Sequence, residues 1–128
     1  MDAHLMDLTP APFFADIARG PDGGQAHWVT TSDGLRIRVG HWNLASAKGT
    51  VLIFPGRTEF IEKYGNTAQG LQDRGYASLA IDWRGQGIAD RMTPNRAIGH
   101  VGDFADYQKD VTATLAYAEQ IGLPRPYF

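Results

Sequence analysis

The sequence predicts an α/β fold in which an antiparallel hairpin is followed by parallel strand–helix–strand–helix–strand. Three observations carry this. Residues 25–42 alternate apolar and polar side chains on either side of Asp33-Gly34, a dipeptide that favours hairpin turns. Residues 50–54 and 76–82 are apolar with little alternation, as strands covered on both faces are. Between and after them, apolar residues recur at steps of three and four, the period of a helix packed along one side.

At the start of the chain, Thr9 and Pro10 read as the N-cap and first-turn proline of a short helix over residues 11–18. Gly20 and Pro21 stop it, and residues 20–24 form a loop. In the hairpin, Leu35, Ile37 and Val39 line the core face, and Arg36 and Arg38 a solvated one. A two-residue turn at Asp33-Gly34 puts His27 and His41 on opposite faces. The next helix spans residues 61–74, with Tyr64, Ala68 and Leu71 inward and Gly75 as its C-cap. Asp103 caps a last helix over residues 104–121, whose core face reads Phe104, Tyr107, Val111, Leu115 and Ala118. Gly122 ends this helix, and residues 124–128 begin a third parallel strand. Residues 1–24 are thus a helix and loop, and residues 25–128 one α/β domain. With two complete parallel strands and a stub, that domain is expected to be incomplete, since few strands leave faces and edges uncovered.

The 128 residues are 43% hydrophobic and 20% charged, which suits one folded domain rather than a disordered chain. A formal net charge of −2 gives no reason to expect nucleic acid or an anionic membrane as a partner. The absence of cysteine removes disulfides, thiolate metal sites and cysteine nucleophiles, and fits the expectation of a cytoplasmic protein. No secretory signal is read in the first residues. The longest apolar run, residues 51–55, is far short of the ~20 residues of a membrane-spanning helix.

Ligands of open α/β sheets gather at the carboxyl ends of the strands. Two loops leave such ends. The first reads Phe54-Pro55-Gly56-Arg57-Thr58-Glu59-Phe60; a glycine directly after a buried strand lets the backbone turn and point N–H groups outward, where they can stabilise an oxyanion. The second reads Asp82-Trp83-Arg84-Gly85-Gln86-Gly87-Ile88-Ala89-Asp90. Its glycine pair is half of a dinucleotide fingerprint, but Asp90 stands at the third position, where it would repel a pyrophosphate, and no helix starts there.

Together the Phe54–Glu59 motif, Asp73-Arg74-Gly75-Tyr76 before the next strand, and Asp82-Trp83-Arg84-Gly85-Gln86-Gly87 after it resemble the α/β-hydrolase fold. More narrowly they resemble the monoacylglycerol lipase and bacterial L2-type lysophospholipase group of serine aminopeptidase S33-like hydrolases. Phe104-Ala105-Asp106-Tyr107 with Asp110-Val111 matches the helix before the nucleophile strand of that group. The resemblance runs from about His27 to the last residue, which is the leading third or so of a typical member. It implies a serine ester hydrolase without cofactor or metal, acting on a small lipid or ester. It also implies that the Arg57 backbone N–H is one oxyanion-hole donor, that Gly56, Gly85 and Gly87 are turn glycines, and that Glu59, Asp82 and Arg84 organise the loops. Departures are Pro55 and Gln86, where many members have histidine, and Ala89, where many have serine.

The family nucleophile sits in Gly-x-Ser-x-Gly after the fifth strand. None of Ser32, Ser46 and Ser78 has a glycine two residues before it, and Pro126-Tyr127-Phe128 matches the start of that strand. The triad is therefore expected beyond Phe128, and these residues alone are expected to be inactive. A non-catalytic segment that binds a partner, or itself, through an exposed strand edge is the alternative. The histidines His4, His27, His41 and His100 show no helical ligand spacing for zinc. Asp103, Asp106 and Asp110 share a helix face and read as a cap and favourable charges near a helix start.

Overall fold

A computed structural model describes residues 6–91 and 104–128. Asp103, His4 and His100 lie outside the described residues. In chain order the elements are β1 (Thr9–Pro10), α1 (Ala15–Ala18), β2 (Gln25–Thr30), β3 (Arg36–Trp42), β4 (Thr50–Ile53), a 3-10 turn (Ile61–Tyr64) running into α2 (Gly65–Asp73), β5 (Ala77–Asp82), and a second 3-10 turn (Phe104–Asp106) running into α3 (Tyr107–Gln120). One sheet takes the order β1-β2-β3-β5-β4, antiparallel up to the β3–β5 pair and parallel between β5 and β4. Residues 126–128 continue it beside β4 through Thr50 N–H to Pro126 O (3.0 Å), Phe128 N–H to Thr50 O (2.9 Å) and Leu52 N–H to Phe128 O (2.8 Å). The mixed sheet with flanking helices is the predicted α/β architecture.

The sheet is covered on both faces because β3 and β5 bury alternate residues in opposite directions. Val29, Ile37, Val39, Leu79 and Ile81 pack under Ala113, Tyr117 and Ala118 of α3. Ala26, Trp42 and Ala80 pack under Ala18, Ile61 and Ala68, from α1, the 3-10 turn and α2. Gly65 is what lets α1 and α2 meet: a Cβ there would collide with the carbonyl of Ala18.

Four expectations are corrected. Residues 9–12 do not start a helix. Thr9–Pro10 pairs with His27 and Trp28 as an edge strand, and Ala11 N–H bonds Ala26 O at 3.0 Å. Prolines at 10 and 12 bias the residues before them away from helix and are tolerated at a sheet edge, so only residues 15–18 coil.

The hairpin turn is one residue longer than expected. Thr31 N–H donates to Leu35 O (2.8 Å) and Gly34 N–H to Thr31 O (3.0 Å), with Gly34 at φ +86°. This is a three-residue loop with glycine in the left-handed position. The register becomes His27 opposite Val39 and Gln25 opposite His41, and a one-residue slip moves a side chain to the other face. His27 and His41 therefore share a face, their rings nearly parallel with centroids 6.1 Å apart. Both Nδ1 atoms meet the Tyr117 hydroxyl, at 2.8 and 2.7 Å. That hydroxyl has one proton to give, so at least one of the two rings donates to it.

Arg38 is not on a solvated face. It is 1% exposed, directly opposite Asp82 across β3 and β5, whereas Arg36 is half exposed with its guanidinium 4.3 Å from the Trp28 ring centre. The core face of α3 is rotated too. Asp110, Ala113, Thr114, Tyr117 and Ala118 are buried, while Phe104 is 82% exposed and Leu115 is 39% exposed. Polar anchors set this face: Asp110 is drawn in by Arg84, and Tyr117 by the two histidines.

Burial lowers the pKa of His27, and burial together with its neighbour His27 lowers that of His41 to about 4. Both rings are neutral at pH 7. The unfolded chain takes up protons below about 6.5 that the folded chain refuses, so this contribution to stability is intact above pH 6.5 and is lost as pH falls toward 4. For His41, whose pKa falls from 6.5 to about 4, the full loss is at most about 3–4 kcal/mol, at ~1.4 kcal/mol per unit of pKa. His41→Gln is expected to lower stability at pH 7.5 but to flatten its decline between pH 6.5 and 4.5, as read from urea midpoints. Parallel pH profiles for the two proteins would contradict this.

Candidate active site

The carboxyl ends of β4 and β5 lie side by side because the two strands are parallel neighbours, so both loops singled out in the sequence leave from one edge. Glu59 folds back over the first: its Oε1 accepts from Gly56 N–H (2.8 Å) and from the Tyr64 hydroxyl (2.6 Å). The Tyr64 hydrogen bond first, and the Gly56 amide second, hold the Glu59 carboxyl below the usual carboxylate range. Trp83 Nε1–H donates to Pro55 O at 2.7 Å, and Thr58 N–H donates to Gln86 Oε1 at 2.7 Å. The second loop thus grips the first at two points.

The second loop is itself anchored. Asp82 is fully buried and accepts from Arg38 Nε (2.8 Å) and from the N–H groups of Ile61 and Ile88 (both 3.0 Å). Gly87 sits at φ +51° under that carboxylate, and any Cβ there would collide with it. Arg84, also fully buried, donates to Asp110 through its backbone N–H and Nε (2.9 and 3.0 Å) and to Asp33 through both terminal nitrogens (2.8 and 3.0 Å). The Arg84 hydrogen bonds, with one from Thr31, hold the Asp33 carboxyl well below its ordinary value. Gly85, at φ +79°, donates its N–H to Asp90 O (2.9 Å). The Asp90 carboxylate takes the Arg36 backbone N–H (2.8 Å) and its guanidinium (3.3 Å), so Asp90 is occupied in closing the loop onto β3.

Between the loops and the start of α3 lies a cavity of about 240 Å³ lined by Pro55, Gly56, Arg57, Trp83, Gln86, Phe104 and Tyr107. Its aromatic wall is continuous: Trp83 stacks edge-on to Tyr107 at 4.9 Å, and the Tyr107 ring lies 6.3 Å from that of Phe104. Gly56, Arg57 and Glu59 are brought together here with Trp83 and Gln86. Asp82, Arg84, Gly85 and Gly87 form the layer beneath. Sequence reasoning missed Trp83, Tyr64 and the wall from α3. A tryptophan directly after a strand-ending aspartate was the available signal for the first. Among the described residues no three His, Asp or Glu side chains converge as metal ligands, and no helix is long and apolar enough to cross a membrane.

The family model for the serine aminopeptidase S33 hydrolases matches residues 45–128. The chain belongs to this family. Lysophospholipase L2 of Escherichia coli strain K12 is 36% identical over 84 residues, which are 66% of this chain and 25% of that protein. The chain therefore spans about a quarter of the length of the curated relatives it matches. A soluble variant of monoglyceride lipase from Saccharomyces cerevisiae, solved with a substrate analogue, superposes with a TM-score of 0.55 at 22% identity over 98% of this chain and 34% of that one. A cold-adapted esterase from an Arctic intertidal metagenomic library superposes with a TM-score of 0.62 at 25% identity over 84% and 50%. The resemblance to lysophospholipase-like α/β-hydrolases seen in the loop motifs is thereby met, and the S33 hydrolase fold accounts for parallel strands ending at one cavity.

Tyr64→Phe removes one of the two donors to Glu59 Oε1. The Glu59 pKa is expected to rise toward its ordinary value in a carboxyl-detected NMR titration, with Gly56 N–H still bonded. An unchanged pKa would contradict the assigned role of the Tyr64 hydroxyl.

Proposed function

We propose that these residues are the leading part of a serine hydrolase of carboxylic esters, with lysophospholipids or monoacylglycerols as the substrate class. The observation that carries the reading is the first loop: Pro55, Gly56 and Arg57 line an aromatic cavity in a chain of the S33 hydrolase family, and Pro55 and Thr58 are tied to the neighbouring loop by Trp83 and Gln86. In this reading an ester carbonyl lies in that cavity and the backbone N–H of Arg57 is one donor to its oxygen as negative charge develops. A serine after the strand that begins at residues 126–128 attacks the carbonyl carbon and gives its proton to a histidine. The alcohol leaves with that proton, and water then splits the acyl-enzyme. The second oxyanion donor is the N–H of the residue after the serine.

Glu59 Oε1 is committed to Gly56 and Tyr64, and all three side-chain nitrogens of Arg84 are committed to Asp110 and Asp33, which supports an organising rather than a reacting part for both residues. The aromatic wall of Trp83, Phe104 and Tyr107 supports an apolar acyl group over a charged peptide. Residues 1–128 alone carry no serine in Gly-x-Ser-x-Gly, so they are read as inactive.

The test is the protein whose coding sequence continues past Phe128, assayed with p-nitrophenyl butyrate and a lysophospholipid and labelled with a fluorophosphonate. Expected are ester turnover and a label on one serine in a Gly-x-Ser-x-Gly turn, with residues 1–128 alone giving no turnover above buffer. Absence of both label and turnover in the longer protein would sink the hydrolase reading and favour a non-catalytic segment that pairs through its sheet edge. Turnover by residues 1–128 would refute the inactivity.

A further inference from the structure

We infer that Gln86 is a positioning residue that sets the direction of the Arg57 N–H, an inference that rests on the hydrolase reading above. Thr58 has φ +63°, a left-handed backbone that a β-branched residue adopts only when its surroundings impose it. Two bonds do so. Its N–H donates to Gln86 Oε1 at 2.7 Å, and its hydroxyl donates to the carbonyl of Arg57 at 2.6 Å. On the other side of Arg57, the Gly56 N–H is held by Glu59 Oε1 at 2.8 Å. The peptide that carries the Arg57 N–H is therefore flanked by two pinned amides. Glu59 holds its amide from within the same loop, whereas Gln86 holds Thr58 from the neighbouring one.

Gln86 is suited to that task. It is 5% exposed. Its own backbone is fixed, its N–H donating to Trp83 O (2.9 Å) and its C=O accepting from Ala89 N–H (3.0 Å). It is a neutral acceptor, and it lines the cavity in which the oxyanion would form. A carboxylate at this position would accept the same N–H yet add a negative charge beside a developing one. An imidazole can accept through a ring nitrogen and stay neutral.

The experiment compares Gln86→Ala, Gln86→Glu and Gln86→His with the parent in the protein that continues past Phe128, using p-nitrophenyl butyrate and amide hydrogen exchange at Thr58. Gln86→Ala is expected to lose Thr58 protection and to lower kcat about 10- to 100-fold with KM little changed, the loss typical of a displaced catalytic donor. Gln86→Glu is expected to keep Thr58 protected and still lose kcat. Gln86→His is expected to restore both within a few-fold. If the parent is active and Gln86→Ala leaves kcat and Thr58 exchange unchanged, or changes KM alone, the inference fails while the hydrolase reading stands. Equal damage by all three variants reduces Gln86 to a packing residue and overturns it as well. An inert parent overturns the hydrolase reading and with it the catalytic part of the inference.

Discussion

The carboxylate of Asp82, fully buried at the end of β5, is held from three directions: by the guanidinium of Arg38 on the neighbouring strand, by the Ile61 N–H at the start of the α2 segment, and by the Ile88 N–H in the loop that follows β5. Burial pushes this carboxyl up, and Arg38 and the two amides oppose it. Arg38 carries the network onward. Its terminal nitrogens grip both oxygens of Glu62 (2.6 and 2.7 Å) and the carbonyl of Pro12 (2.9 Å), and Glu62 also takes the Phe14 N–H (3.0 Å). Burial opposes the charge on Arg38, but the bonds to Glu62 and Asp82 outweigh it and raise its pKa. The hairpin, the N-terminal segment, the entry to α2 and the second loop therefore meet at one buried set of charges. A buried ion pair adds little net stability over a well-packed apolar pair, but removing one partner costs about 3–5 kcal/mol. That is a large fraction of the roughly 5–15 kcal/mol that holds a domain together.

Two residues beyond Asp82, Arg84 forms a second hub, joining the hairpin tip at Asp33 to α3 at Asp110. Asp82 and Arg84 bracket Trp83, whose indole reaches Pro55. The loop after β5 is fastened at both flanks by buried charge, and what it offers the cavity, Trp83 and Gln86, is correspondingly fixed. Enzymes that stabilise developing charge depend on donors held in place before the reaction. A loop tied to a buried lattice can supply that where a free surface loop could not.

Much of the fold was legible because period and composition are local. The hairpin, the two parallel strands, the helix running to Gly75 and the edge at residues 126–128 follow from alternation, apolar runs and left-handed glycines. Gly75 and Gly122 indeed lie at φ +93° and +73°. What was not legible depends on partners distant in sequence. Arg38 alternates like a solvent-facing residue, and only Glu62 and Asp82, 24 and 44 positions away, explain its burial. The face of α3 follows Asp110 and Tyr117 rather than its largest hydrophobics, since Arg84 and the histidines decide it. The pairing of His27 with His41 turned on a single residue of hairpin register. In the candidate site the glycines stood out as turns after strands, and Arg57 and Glu59 through the resemblance of their loop to a family motif. Gln86 and Tyr64 have side-chain roles visible only once the two loops are adjacent.

The most direct test of Asp82 as the common anchor is amide hydrogen exchange in Asp82→Asn, with circular dichroism to confirm that the fold persists. If this one carboxylate ties the start of the α2 segment to the loop after β5, the Ile61 and Ile88 amides lose protection together, while the Leu52 amide, bonded to Phe128 O across the sheet, stays protected. Loss at only one of the two, or at neither, would contradict a shared anchor and leave the loops as independently folded segments.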